Sequence, residues 1–399
     1  MTAPLRFNPR LAADAELEAT VVARTELIAP LVADLRADAV AGVARHWLLV
    51  APSGGGKTTT TELVARSLAR DDGWRIVRLP EEPFAIGCVG DLIAAIVADL
   101  LGADPFADEL DAERLEELAV DRARALAASG PPVLVVAENL DLLLERLSDR
   151  DQKRLRQIVM RAPPFRLLAT AALAPPATAR HEAAFYDFFQ TLVMPELGRE
   201  SAWDLVRTRA DWDGVTLPAT AWRDFRALWP WLGGNPRRLL GWYERIRVDP
   251  SSDPAAQLLG LLDAMTPHYQ RRMRALSPQM ARVLHALAVG DRLVPPSALG
   301  RALRLPTNQV TANLARLEAE RLVRPGGRLD GRSRYWECTE PLFRAWLLLR
   351  EGRYERLRGW IALRATSDLA GAAAAVRDAV AGAGASLHPE ERATLEDLP

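Results

Sequence analysis

The segment RHWLLVAPSGGGKTTTTELVARSLAR, residues 45–70, leaves this chain few folds to choose from. Its apolar run from His46 to Val50 reads as a strand, the glycines after it as a tight loop, and the rest as a helix with Val64 and Leu68 on one face. Ala51, Gly56, Lys57 and Thr58 fit the pattern G-x-x-x-x-G-K-[ST], with alanine in the first glycine slot. Glycines let backbone N–H groups curl around phosphates, and the helix N-terminus adds a positive end. Lys57 then reaches the terminal phosphates, and the Thr58 hydroxyl ligates magnesium. Ser53, Gly54, Gly55, Gly56, Lys57, Thr58 and Thr59 are the expected nucleotide contacts. Nearly all other basic residues are arginine, the only lysines being Lys57 and Lys153. A compact ammonium stands where the loop needs one.

Further elements alternate strand with helix. A strand is expected from Trp74 to Leu79, a helix from about Val89, a helix over RDQKRLRQIVMRA, and a short strand in PFRLLATAAL ending at Thr170. Such alternation predicts an α/β fold, a parallel sheet covered on both faces. Between them lies PPVLVVAENLDLLL, residues 131–144, where apolar Val133 to Ala137 runs into Glu138, Asn139 and Asp141. A nucleotide-hydrolysing site wants two acids here, one orienting a magnesium-bound water and one polarising the attacking water. Two registers are open. In one, Ala137 replaces the metal-side aspartate and Glu138 is the base; in the other, Glu138 takes the metal side, Asn139 the base position, and Asp141 sits nearby. Either way Glu138 is a magnesium-side or catalytic carboxylate, and hydrolysis is slow.

At 399 residues, 49% of them apolar and 26% charged, the chain is long enough for two to three domains with cores of their own. No stretch approaches the roughly 18 uninterrupted apolar residues of a membrane span. The N-terminal MTAPLRFNPRL has no apolar signal core, so a cytoplasmic location is expected without membrane partners. Cys88 and Cys338 lie far apart, and the five histidines show no metal-ligand spacing, which argues against a zinc site or disulfide framework.

The net charge of -1 hides an asymmetry, because Arg271 to Arg334 holds 13 arginines against 4 acids. Helices are expected from about Pro278 to Val289, about Ser297 to Arg304, and from a Thr307 cap to about Glu320, with Val283, Leu284, Leu287, Val310, Leu314 and Leu317 inward. RLVRP, a Gly-Gly turn and SRYWEC then form a hairpin. This order resembles the winged helix-turn-helix of MarR-like DNA-binding regulators. On the third helix Asn308, Gln309, Thr311, Asn313 and Arg316 are left outside to read duplex DNA, and Arg328, Arg332 and Arg334 of the wing face phosphates.

Three further stretches carry a family resemblance. VVARTE, residues 21–26, resembles the box preceding the nucleotide-binding strand of AAA+ proteins and the related STAND signalling ATPases, with Ala23 where the family prefers glycine. That resemblance implies that Arg24 contacts the adenine. WLGGNPRRLLGWYERI is similar to the sensor 2 region of origin-initiator-like AAA+ ATPases and to the G-x-P motif of STAND proteins, which implies that Arg237, or Arg238 beside it, reaches the nucleotide from a helical lid. Thr170 corresponds to sensor 1, and Arg180 to an arginine finger. The segment PLFRAW resembles the close of the winged module in some prokaryotic STAND-like ATPases.

The resemblance covers about residues 15 to 350. It implies an AAA+-like P-loop NTPase sheet, a lid and a winged helix, with a lead-in at 1–45, core at 46–175, lid at 176–265, winged helix at 266–350 and a helical tail at 351–399. It implies ATP and Mg2+ as cofactors; ATP over GTP rests on the resemblance, in the absence of an N-K-x-D base-reading motif. The expected function is an ATP-binding slow ATPase coupling nucleotide state to DNA binding or to homo-oligomer assembly, with operon-encoded proteins as further partners. The alternative is a nucleotide-gated signalling scaffold whose winged helix docks a partner protein with little or no hydrolysis.

Overall fold

A computed structural model describes residues 8–43, 45–161, 163–172, 175, 178, 183–290, 293–329, 333–365 and 388. The chain divides into two compact units, Met1–Leu197 with Asn235–Arg237, and Gly198–Gly234 with Arg238–Pro399. No described helix is long and apolar enough to cross a membrane.

The first unit opens with a 3-10 turn, Pro9–Leu11, and helices α1 (Asp14–Thr20) and α2 (Thr25–Val40). It continues β1 (His46–Val50), α3 (Lys57–Asp72), β2 (Arg75–Arg78), α4 (Val89–Leu101), α5 (Ala112–Ala128), β3 (Val133–Ala137), α6 (Leu140–Arg146), α7 (Asp149–Met160), β4 (Arg166–Ala171) and β5 (Phe189–Val193). The five strands form one parallel sheet in the order β2-β3-β4-β1-β5. Parallel strands cannot be joined by a tight turn, and α3, α4 with α5, and α6 with α7 carry the chain between successive strands from β1 to β4.

Alternate side chains of a strand face opposite sides of a sheet, and the two cores follow that rule. Leu48, Val50, Val133, Val135, Ala137, Leu167 and Ala169 join α4, α5, α6 and α7 in one cluster. Leu49, Leu134, Val136 and Leu168 join α2 and α3 in the other. The near-continuous apolar runs of β1, β3 and β4 are therefore what a sheet buried on both faces requires. The edge strand β5 has only Phe189 buried, and its short pattern gave no strand in the sequence reading.

The second unit is helical, with α8 (Arg199–Trp212), α9 (Ala221–Leu232), α10 (Pro236–Val248, its first two residues counted with the first unit), α11 (Pro254–Ala275), α12 (Pro278–Val289), α13 (Pro296–Leu303) and α14 (Thr307–Ala319). A two-stranded antiparallel ribbon follows, β6 (Val323–Leu329) with β7 (Ser333–Cys338), then α15 (Pro341–Arg350) and α16 (Tyr354–Ala365). Val283, Leu284, Leu287, Val310, Leu314 and Leu317 are all buried.

Three local expectations need correction. Thr307 is the first residue of α14, not its cap; Pro306 holds the cap position, and its ring fixes the entry angle. Gly326 and Gly327 lie inside β6 at a register irregularity between Pro325 and Arg328, so the Gly-Gly pair is a bulge and not the turn. The Tyr335 ring lies where a Cβ on Gly326 would stand, at 2.1 Å, which explains the glycine.

The third correction is Asn313. It is 3% exposed, and its amide donates to the Gln279 side chain (3.2 Å) and the Gln309 carbonyl (2.8 Å), so it is absent from the outer face of α14.

Candidate nucleotide-binding site

The loop between β1 and α3 is held by backbone conformations that favour glycine. Gly54 and Gly56 have φ of 78° and 92°, and Gly56 is the cap from which α3 starts. The Lys57 ammonium donates to the carbonyls of Ala51 (2.7 Å) and Pro52 (3.2 Å), so the lysine folds back over the loop it is expected to serve. Ser53 is exposed, while Thr58 and Thr59 lie half-buried in the first turn of α3.

Glu138 follows the last residue of β3 and is 7% exposed. The Thr58 hydroxyl donates to its Oε2 at 2.8 Å. This contact sets the hydroxyl after Lys57 beside the first acid after β3. Asn139 follows it. Its φ is 52°, and its amide donates to the Glu81 carbonyl at 3.2 Å. Its backbone N–H donates to the Thr170 hydroxyl at 3.4 Å, which puts buried Thr170 of β4 beside the tip of β3. Asp141 lies in the first turn of α6, with Oδ1 buried and lacking a hydrogen bond among the described residues.

Residues 235–237 pack on the loop. Asn235 donates to the Ser53 carbonyl (2.9 Å), and Arg237 donates through its backbone to the Gly54 carbonyl (3.2 Å) and through its guanidinium to the Ser53 hydroxyl (3.2 Å). A Cβ on Gly54 would stand 2.6 Å from the Arg237 Cβ. Position 54 is therefore closed to any larger residue twice over, by φ and by this contact. Arg238 points elsewhere, to Glu340 of the second unit at 3.6 Å.

Arg24 is 6% exposed and braces the loop from behind, donating to the carbonyls of Gly55 (3.3 Å) and Pro195 (2.8 Å). Burial pulls its guanidinium below the ordinary arginine range. The preceding Ala23 has φ of 53°, a left-handed conformation at the position where the resembling families prefer glycine.

The sequence reading missed Arg10. Its guanidinium donates to Glu138 Oε1 at 3.2 Å and lies 3.8 Å from Glu62. Glu62 is 1% exposed and takes hydrogen bonds from Arg78 (2.8 and 3.0 Å) and Arg66 (3.4 Å). Burial alone would raise this carboxyl, but Arg78 and then Arg66 outweigh it and hold it below the ordinary range. The short stretch FNPRL has no periodicity that would have marked Arg10.

In the second unit Asn308, Gln309, Thr311 and Arg316 are exposed on α14, as is Arg334 on β7. Arg328 stands opposite Arg334 in the ribbon register. Arg180 and Arg332 lie outside the described residues.

Against solved structures, the chain aligns with the ORC2 protein of Aeropyrum pernix, solved as ADPNP and ADP complexes, at a TM-score of 0.59, with 12% identity over 85% of this chain and 95% of that one. It also aligns with the Aeropyrum pernix ORC1 protein in complex with DNA (TM-score 0.49, 18% identity, 84% and 94% covered) and with Cdc6p of Pyrobaculum aerophilum (TM-score 0.48, 13% identity, 89% and 98% covered). No protein-family model matches the chain, nor does any curated protein. The fold is the AAA+-like P-loop one that the sequence resemblance implied, built on a five-stranded parallel sheet.

Proposed function

We propose that this protein binds ATP with magnesium at the loop of residues 51–58, hydrolyses it slowly, and uses nucleotide state to set DNA binding or self-assembly through residues 266–350, acting as a winged helix-turn-helix. The observation that carries the reading is the 2.8 Å hydrogen bond from Thr58 to Glu138 at the tip of β3. A hydroxyl and a carboxylate side by side are the hard oxygen donors that magnesium takes beside substrate phosphates. The donor set fits, and so does the left-handed Gly56 that opens α3 behind the loop. The Aeropyrum pernix ORC2 protein, which shares the fold, was solved with ADPNP and ADP, and this supports an adenine nucleotide.

Lys57 and the loop N–H groups hold the phosphates, while Thr58 and Glu138 hold the metal. Magnesium supplies charge neutralisation on the phosphate oxygens. Thr170 sits where a polar side chain can orient a water, and Arg237 reaches the loop through Ser53. Slow hydrolysis follows from Asn139, because an amide cannot take a proton from water at the position where a carboxylate acts as base. Exposed Asn308, Gln309, Thr311 and Arg316 offer groups for base edges, with Arg334 for phosphates. The burial of Asn313 removes one reader from that face, which favours the docking of a partner protein as the second reading.

Steady-state ATP turnover with magnesium, with and without duplex DNA, tests the proposal. The natural chain should turn over slowly and faster with DNA, and Lys57→Ala and Glu138→Gln should each abolish the signal. ATP retention untouched by Lys57→Ala would sink the nucleotide site. Retention without turnover, with DNA binding indifferent to salt, would favour the scaffold.

A further inference from the structure

We propose that Arg10 is a built-in counter-cation which occupies the magnesium-side carboxylate Glu138, so that the magnesium nucleotide must displace it, which frees the Arg10 side chain and leaves the segment of residues 8–12 held to α3 by Arg66 alone. The inference rests on the nucleotide reading above and adds a regulator to the same site.

The segment is held for this contact. The Asn8 side chain accepts from the Arg10 backbone N–H at 3.0 Å, starting the 3-10 turn Pro9–Leu11. Arg66 of α3 gathers the carbonyls of Pro9 (3.2 Å), Arg10 (3.2 Å) and Ala12 (2.8 Å), and also pairs with Asp14 at 2.6 Å. One guanidinium therefore fastens the turn to the helix whose first turn carries Lys57 and Thr58. From there the Arg10 side chain reaches both buried acids of the site, Glu138 at 3.2 Å and Glu62 at 3.8 Å.

The two acids are not equivalent. Glu62 keeps Arg66 and Arg78 when Arg10 leaves, whereas the only cation on Glu138 among the described residues is Arg10. A carboxylate that is 7% exposed needs a partner charge, since burying an uncompensated one is strongly unfavourable. Arg10 supplies it in the metal-free protein. Magnesium supplies two positive charges at the same carboxylate, and with it in place a guanidinium on the Glu138 side meets like charge. The exchange makes the turn a detector of metal-loaded nucleotide. ATP without metal leaves Arg10 where it is.

The test is trypsin cleavage of the Arg10–Leu11 bond in the full chain, followed by mass spectrometry, together with ATP retention across a magnesium titration. In the natural chain cleavage should be slow in EDTA, slow with ATP in EDTA, and about tenfold faster with magnesium and ATP. Arg10→Gln should lower the magnesium needed for half-maximal ATP retention by about three- to tenfold, the size of one ordinary hydrogen bond. Arg10→Lys keeps a cation and should stay close to the natural chain, which separates loss of charge from a misfolded N-terminal turn. ATP retention with an unchanged cleavage rate and an unchanged magnesium midpoint overturns the role of Arg10 alone. Failure of the natural chain to retain ATP at any magnesium concentration overturns the nucleotide reading, and this proposal with it.

Discussion

Arginine does opposite work in the two units. Around α3, Arg10, Arg66 and Arg78 converge on buried Glu62, and Arg10 extends to Glu138. On α13 and the residue after it, on α14 and on β7, exposed Arg301, Arg304, Arg316 and Arg334 have no ion pair among the described residues. In the first region each cation is matched by a carboxylate whose burial it makes tolerable, so the charge is committed to the fold. In the second no described carboxylate takes up the charge. Composition cannot tell the two apart; only the buried acids do.

The sharpest way to break this contrast is Glu62→Gln. It takes the carboxylate from Arg78 outright, while Arg10 keeps Glu138 and Arg66 keeps Asp14, at a position that is 1% exposed, and should destabilise the first unit by about 3 kcal/mol, the low end of the loss seen when a buried ion pair is broken from one side. Chemical denaturation would show an earlier transition. If the midpoint moved no more than for a surface substitution, the cluster would be ornamental and the contrast would fail.

Acid probes the same unit through His46. Its ring is 3% exposed, accepts from the Leu167 N–H at 3.0 Å and pairs with the Val159 carbonyl at 3.3 Å, so it is buried neutral. Desolvation, only partly opposed by the Val159 hydrogen bond and assisted by the charge on Arg166, pushes its pKa down to about 4. Unfolding returns it to about 6.5. The unfolded chain therefore binds the extra proton, and stability is fully present above that value. It is lost as pH falls towards about 4, by roughly 3 kcal/mol, and levels off below. Denaturation at pH 7 and pH 4 should show that loss in the natural chain and a smaller one in His46→Gln.

How far the sequence foretold the site depends on how local each contact is. The Gly54, Gly56, Lys57 and Thr58 loop was legible because strand, loop and helix follow one another directly. The contact of Glu138 with Thr58 was not, because it spans 80 residues. Arg10 was hidden for the same reason, 128 residues from its partner. Asn313 was misread for a different one. Helical spacing puts position 313 in the stripe of Val310, Leu314 and Leu317, and its polarity was given more weight than its place. Strand β5 carries four outward or half-buried residues of five, so no apolar run announced it.

The unmatched half of the contrast is tested by salt. If Arg316 and Arg334 meet phosphates, each alanine substitution should weaken duplex binding by about 1 kcal/mol across sequences and reduce the slope of log K against log salt by about one. Arg324→Ala is the internal control, because that arginine is already paired with Glu337 at 2.7 Å. A loss for Arg324→Ala as large as for Arg316→Ala would mean that pairing within the fold does not decide which arginines are available.

The smallest effect should come from Ala23→Gly. Alanine at φ of 53° carries a left-handed backbone that costs an L residue about 1–2 kcal/mol, while glycine returns part of the gain through the entropy of its unfolded chain, about 0.4–1 kcal/mol. The net should be a stabilisation of about 0.5 kcal/mol in denaturant melts. Nucleotide affinity should hold, because Arg24 is fixed by two carbonyls and not by the conformation before it. If Ala23→Gly instead loosened ATP retention, the strain at Ala23 would be holding Arg24 against the loop, and the arginines of the first unit would serve the ligand as well as the fold.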